Sequence, residues 1–266
     1  MTALEHRLGS ARLRIEGQGD EVLLMLHGWP DTLALWEGTV QALQSRYVCA
    51  RLSWPGFEPG SERTAMTVDA LCACLDQALA LIGPDRPVTL MLHDWGCVFG
   101  YEYAMRRPER VARVVAVDVG DHQSRSLWQS WGWREKLAVV GYQLWLALAW
   151  QLGGALGDRM TRAMARWLRC PAPAEGIHAG MNYPYAMRWL GRAGGMRGLQ
   201  AVRLPMPLLY VYGARKPFMF HSERWLDAVA RKPGSAVQGL PCGHWVMQSR
   251  PVEFVQCVAQ WLDQRH

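Results

Sequence analysis

The stretch Val88–Gly100, VTLMLHDWGCVFG, decides the fold. It opens as a short apolar, β-branched run, which suits a strand covered on both faces. His93, Asp94, Trp95 and Gly96 then turn the chain sharply, and small and apolar residues follow as a helix would require. A carboxylate at the tip of a buried strand, just where a helix begins, has an ordinary explanation, because aspartate is a good helix N-cap. Whether that explanation suffices depends on what the rest of the chain places nearby.

Working outward, strands and helices alternate. EVLLMLHG (21–28) reads as an apolar strand, and YVCARLS (47–53) as another that ends at the turn-rich WPGFEPGS. MTVDALCACLDQALALIG (66–83) has helical spacing, with Leu71, Leu75, Ala78 and Ile82 on one face. VARVVAVDVG (111–120) is the strand after VTLMLHD. The pattern then breaks for about 80 residues rich in Trp and Arg, with helix-like periodicity. It resumes with the strand PLLYVYG (207–213), a helix near Ser222–Ala230, the short strand SAVQGL and a final helix PVEFVQCVAQWLDQ. Near-continuous apolar strands between helices predict an α/β fold with a mostly parallel sheet flanked by helices. Residues 1–120 and 205–266 would form its core, and residues 121–204 an inserted helical cap. The 266 residues suit one such domain with an insertion.

Composition excludes more than it selects. The net charge of +6 is scattered, and its densest group, RRPERVAR (106–113), reads as a solvated helix end. No nucleic-acid-binding motif is present, so no nucleic-acid partner is expected. Seven Cys without a CxxC pair read as reduced core thiols in a reducing, cytoplasmic setting. Cys72 and Cys74 are too closely spaced, with no His nearby, to look like a zinc site. The N-terminus MTALEHRLGSARLRIEG has no apolar signal-peptide core. Leu137–Gly157 carries no charge and passes a crude membrane-span length. Gly141, Gln143, Gln151 and the Gly153–Gly154 pair interrupt it, however. A buried or ligand-facing lid helix is the reading preferred, with contact to a membrane surface the alternative. A homodimer stays open.

Three polar clusters fall at strand ends, where ligands gather in parallel α/β sheets: HGWPD (27–31), LHDWG (92–96) and CGHW (242–245). The middle one is strand, tight turn, helix, as in the G-x-Ser-x-G elbow that pushes a nucleophile above the sheet. Here Asp94 holds the centre, and Leu92 stands where the first small residue would be. Together with YAMRRPERV (103–111) and CGHWVMQSRP (242–251), these motifs resemble the aspartate-nucleophile branch of the α/β-hydrolase fold. That branch includes epoxide hydrolases and haloalkane dehalogenases, and the resemblance covers most of the chain.

The chemistry fits an ionised carboxylate, which needs no base to attack an sp³ carbon. Asp94 would form an alkyl ester, and His244 would activate water against it. The backbone N–H of Trp95 would stabilise the oxyanion. The resemblance implies a second donor from the backbone of Trp29, with a cis Trp29–Pro30 peptide. His27 and His93 would support the turns. A His base also needs an orienting acid. In most of this fold the acid follows the strand occupied here by PLLYVYG, but Lys216 stands there. Asp118, at the end of VVAVD, is the substitute that some haloalkane dehalogenases resemble, with Asp121 and Asp227 behind it.

The leaving group divides the readings. In the resemblance, two cap tyrosines protonate an epoxide's alkoxide. GYQLW (141–145) supports Tyr142, and MNYPYAMRW (181–189) offers Tyr183 or Tyr185, with Tyr185 slightly preferred. Dehalogenation would instead need N–H donors around a halide, a role open to Trp95. A non-catalytic small-molecule binder is the reading from another class. An apolar pocket lined by Trp95, Tyr183, Trp145 and Trp245 implies a small lipophilic substrate and no metal or organic cofactor.

Overall fold

The computed structural model describes residues 3–83 and 86–264; the first two residues of the N-terminal stretch read above lie outside it. The described residues form one eight-stranded sheet: β1 (Leu4–Leu8), β2 (Ala11–Gly17), β3 (Val22–Leu26), β4 (Val48–Ser53), β5 (Val88–His93), β6 (Val111–Val117), β7 (Leu208–Gly213) and β8 (Ala236–Leu240). Their order is β1-β2-β4-β3-β5-β6-β7-β8. Pairing is parallel from β4 to β8 and antiparallel for β1–β2 and β2–β4. The N-terminal hairpin is absent from the sequence reading, although Ala11 and Leu13 point inward and Arg12 outward with period two.

The helices are α1 (Glu37–Leu43), α2 (Val68–Ile82), α3 (Trp95–Arg106), α4 (Arg125–Ser130), α5 (Trp133–Leu152), α6 (Gly154–Trp167), α7 (Tyr183–Leu190), α8 (Glu223–Ala230), α9 (Val246–Ser249) and α10 (Pro251–Leu262). One face of the sheet packs against α2, α3 and α8. The other packs against α1, α9 and α10 through residues such as Val40, Phe254 and Trp261. Burial on both faces explains why β3 and β5 read as unbroken apolar runs.

Between β6 and β7 the described chain is helical. α5 packs on α6 and α7. The uncharged run Leu137–Gly157 is broken at Gly153 and Gly154, both at positive φ, where α5 gives way to α6. No helix among the described residues is long and apolar enough to cross a membrane. α5 turns Val139, Leu146 and Trp150 inward, while Trp133, Leu137, Leu144, Trp145, Leu148 and Leu152 are exposed. The helix is thus buried along one face and exposed along the other.

Two glycines let α3 start directly beneath the strand tips. A Cβ on Gly96 would lie 2.4 Å from the Leu26 carbonyl oxygen. At Gly100 it would lie 2.5 Å from a Leu92 methyl group, so the large side chain at the elbow occupies the space that this glycine leaves empty. Gly96→Ala is therefore expected to cost about 1–3 kcal/mol of stability by overpacking. Gly38→Ala, in α1 with nothing within 4 Å, should gain about 0.5–1 kcal/mol. Urea unfolding followed by circular dichroism measures both, and equal effects at the two positions would contradict the close approach at the elbow.

Candidate active site

β5 delivers Asp94 to the carboxyl edge of the sheet. Its backbone leaves the strand at φ 51°, ψ −119°, outside the regions that side-chain-bearing residues favour. Its side chain makes no capping bond to α3, so the ordinary N-cap explanation fails. The carboxylate turns toward the HGWPD loop instead. The Trp29 N–H donates to Asp94 Oδ2 at 2.8 Å, and the Trp95 N–H donates to the same carboxylate. Gly28 permits this approach, because a Cβ there would sit 2.4 Å from Asp94 Oδ2. The Trp29–Pro30 peptide is cis.

The loop after β8 brings His244 to the opposite side. Its Nε2 lies 3.8 Å from Asp94 Oδ1, too far for a hydrogen bond but close enough to share one substrate position. Its Nδ1–H donates to Asp118 Oδ2. Asp118 ends β6 at φ 71° and is fully buried. Its other oxygen accepts the Gly213 N–H at 2.9 Å and the Lys216 ammonium. Lys216 stands where an acid was expected and serves here as counter-ion to the carboxylate one strand away. Neither alternative acid reaches the imidazole. Asp121 accepts from the Ser222 N–H at 2.8 Å and from the Ser222 hydroxyl at 2.6 Å. Asp227 pairs with Arg231 at 3.3 Å on the surface.

Burial pushes the Asp94 carboxyl up, opposed by His244 and the two backbone donors. At His244 burial works against the charged form, but Asp118 and Asp94 more than offset it, and its pKa is raised. Burial likewise opposes charge on Asp118, yet Lys216 and His244 hold it below the usual carboxylate range. His27 is pulled down to about 4 by burial. Its Nδ1 faces the Gly28 carbonyl at 2.9 Å. The ring of His93 is buried, with Nε2 3.2 Å from the His244 carbonyl and Nδ1 3.7 Å from Asp31. Burial raises Asp31 to about 7, although the Trp245 indole N–H donates to it at 3.0 Å.

Asp94 and His244 open onto a cavity of about 450 Å³. Trp29, Tyr142, Tyr185 and Trp245 line it, as do Trp167 and Leu168 from the helical segment. Gln143 donates to the Tyr142 oxygen at 3.1 Å, which leaves that hydroxyl proton free to point elsewhere, and the Trp95 ring packs edge-on against Tyr185 at 5.2 Å. Burial raises both phenol pKa values, so neither ionises near neutrality. The Trp95 ring stacks on Phe99 and faces a smaller side lobe of about 40 Å³ that also touches Asp94 and Tyr142.

Two expected pocket residues lie elsewhere. Tyr183 packs edge-on against Phe57 at 5.7 Å and does not line the cavity, because Pro184 and Tyr185 turn the other side of the α7 start toward Asp94. Trp145 is exposed on α5 and donates to the Met160 carbonyl at 3.0 Å. Conversely, the sequence reading passed over Asn182, the only Asn in the chain. Its carbonyl accepts the Trp29 indole N–H at 2.7 Å and its amide donates to Thr161 at 2.7 Å. This buried link ties the helical segment to the loop that holds Asp94.

Comparisons with known proteins agree with this architecture. The Bacillus megaterium epoxide hydrolase in complex with an inhibitor superposes with a TM-score of 0.75 at 19% identity, over 98% of this chain and all of that one. At that identity the likeness shows the fold alone. A cis-3-alkyl-4-alkyloxetan-2-one decarboxylase of Xanthomonas campestris is 34% identical over 110 residues, 38% of this chain and 37% of that protein. A probable oxidoreductase, EphD, of Mycobacterium bovis is 34% identical over 109 residues, 38% of this chain and 18% of that protein. This chain thus matches well under half the length of either curated relative. The alpha/beta hydrolase fold family, by contrast, matches from residue 21 to residue 251, from the first parallel strand through the His244 loop. With the strand order and that match in agreement, the chain belongs to the α/β-hydrolase fold family.

Proposed function

We propose that this chain is a hydrolase that opens epoxides through a covalent ester on Asp94. One observation carries the reading: a strained aspartate faces two backbone N–H donors on one side and an acid-paired imidazole on the other. A serine hydrolase would have its hydroxyl at this turn, and a carboxylate there suits attack on saturated carbon.

The geometry supports an order of events. Trp29 engages Oδ2, which leaves Oδ1 to attack the epoxide carbon. As the C–O bond of the ring breaks, the alkoxide takes a proton from Tyr142 or Tyr185. His244 then takes a proton from water, whose oxygen attacks the ester carbonyl. The Trp29 and Trp95 N–H groups meet the oxyanion. Collapse breaks the ester C–O bond, and the departing alkoxide takes the proton held on His244. The proton that Asp94 received with the water oxygen returns to the tyrosinate, and the diol leaves, with one water-derived oxygen remaining on Asp94. Esterification also assists the second step. It removes the Asp94 charge that helps hold a proton on His244, and so favours the neutral base when it is required.

Dehalogenation is the second reading, favoured by the placement of the acid on β6. Against it, the Trp29 indole N–H is already engaged with Asn182. The Tyr142 phenol, with its free proton, suits an alkoxide better than a halide.

His244→Gln is expected to accumulate the ester. Incubated with styrene oxide, the variant should gain the full mass of the epoxide on Asp94 and turn over about 10²–10⁴-fold more slowly than wild type. A halide substrate would instead add its mass less HX. No adduct across a panel of epoxides and alkyl halides would leave the binding-protein reading.

The hydrolytic half-reaction has a signed pH dependence. It requires neutral His244, whose pKa is raised. Its rate should therefore climb as pH rises through the His244 titration and be lost below it, with a midpoint lower than that of the free protein because the ester carries no Asp94 charge. Asp118→Asn should move that midpoint down and slow hydrolysis while sparing ester formation. Lys216→Met should move it up, since Lys216 disfavours the imidazolium. Single-turnover decay of the ester across pH measures both, and shifts in the same direction would refute the assignment of Asp118 and Lys216.

A further inference from the structure

The side lobe beside Asp94 contains a cation with no hydrogen-bond or ion-pair partner among the described residues. Arg188, near the end of α7, lines the lobe together with Trp95, His122 and Tyr142. Its guanidinium makes no hydrogen bond and no ion pair among the described residues, and its close companion is the Trp189 ring, 5.9 Å away. Burial pulls its pKa below the ordinary arginine value, and its electrostatic neighbours are the Tyr142 and Tyr185 phenols rather than a carboxylate. His122, held down to about 3 by burial and by Arg188, adds no charge. Arg188 is thus the lobe's single cation among the described residues.

The contrast is with an arginine in the core of the sheet. The buried Arg51 is paired with Glu16 and with Glu37 and donates to the Leu33 carbonyl. Arg169 and Arg215, at the main cavity, are exposed. A partly buried guanidinium with no ion-paired carboxylate among the described residues is costly, and an anion entering the lobe would offset that cost. The lobe shares Asp94 and Tyr142 with the main cavity, so one molecule can reach both.

We infer that Arg188 is the anchor for a substrate carboxylate: the molecule opened at Asp94 carries an acid group that docks on this guanidinium, with its apolar body in the main cavity. The inference rests on the reading of the site given above and narrows its substrate from a lipophilic epoxide to an amphiphilic one. The arrangement also answers an electrostatic difficulty. An acidic substrate brings a negative charge toward the negative nucleophile, and Arg188 neutralises it beside the reacting centre.

The test uses unreactive probes, so that it does not depend on catalysis. Octanoate and octanamide, titrated into the wild-type protein by calorimetry, differ in charge but little in shape. The acid should bind roughly ten- to a hundredfold more tightly, the range for a charge-assisted pair. Arg188→Gln should abolish that preference and Arg188→Lys should retain part of it. Equal affinities in wild type would overturn the inference even if the glutamine variant did not fold, and so would a preference that survives in Arg188→Gln. The ester-trapping experiment with uncharged styrene oxide is separate: an adduct there without acid preference would retain the hydrolase and remove the anchor, whereas acid preference without any adduct would do the reverse.

Discussion

The site depends on one buried carboxylate. Asp118 lies at the end of β6 with no solvent exposure, and three donors from elsewhere converge on it: the Gly213 N–H from β7, the Lys216 ammonium beyond that strand, and the His244 imidazole after β8. An isolated carboxylate there would be neutralised by burial. Lys216 and His244 prevent this. The Asp118 carboxylate holds the His244 ring through Nδ1, and the Lys216 ammonium opposes part of its attraction for the imidazolium. The departure of Lys216 from the family pattern and the position of Asp118 are thus one arrangement, with charge and counter-charge exchanged between neighbouring strand ends.

Around that pair the geometry is set by absence of side chains. Gly28 lets the HGWPD loop touch Asp94, and Gly96 lets α3 begin against the Leu26 carbonyl. The strain at Asp94 is held by what surrounds it: strands on both sides, donors from two peptides and the Trp29–Asn182–Thr161 hydrogen bonds from the helical segment. The helical segment is therefore anchored to the loop whose Trp29 N–H meets Asp94.

Most of this was legible in the sequence where a single local pattern carried the information. Strands buried on both faces announce themselves as apolar runs, and three polar clusters at their ends located Asp94, His244 and Trp29. The N-terminal hairpin escaped because its pairing with β4 is long-range and its signal is only a five-residue alternation. Tyr183 and Tyr185 have the same chemistry two positions apart, and only the direction in which α7 starts separates core from cavity. Arg188 was illegible for another reason. An arginine in an amphipathic helix reads as solvated, and its lack of a partner is a property of the packed interior.

Leu92 and Gly100 illustrate how such a site can diverge. The leucine methyls fill the volume that a Cβ at residue 100 would need. Shrinking Leu92 alone leaves a void, and enlarging residue 100 alone produces a clash, so the two positions are coupled in the sense of a double-mutant cycle. A lineage can pass from one packing to the other only through a less stable intermediate or through both changes together. The elbow therefore records a historical path as well as a geometry, and its two residues are best read as one inherited unit.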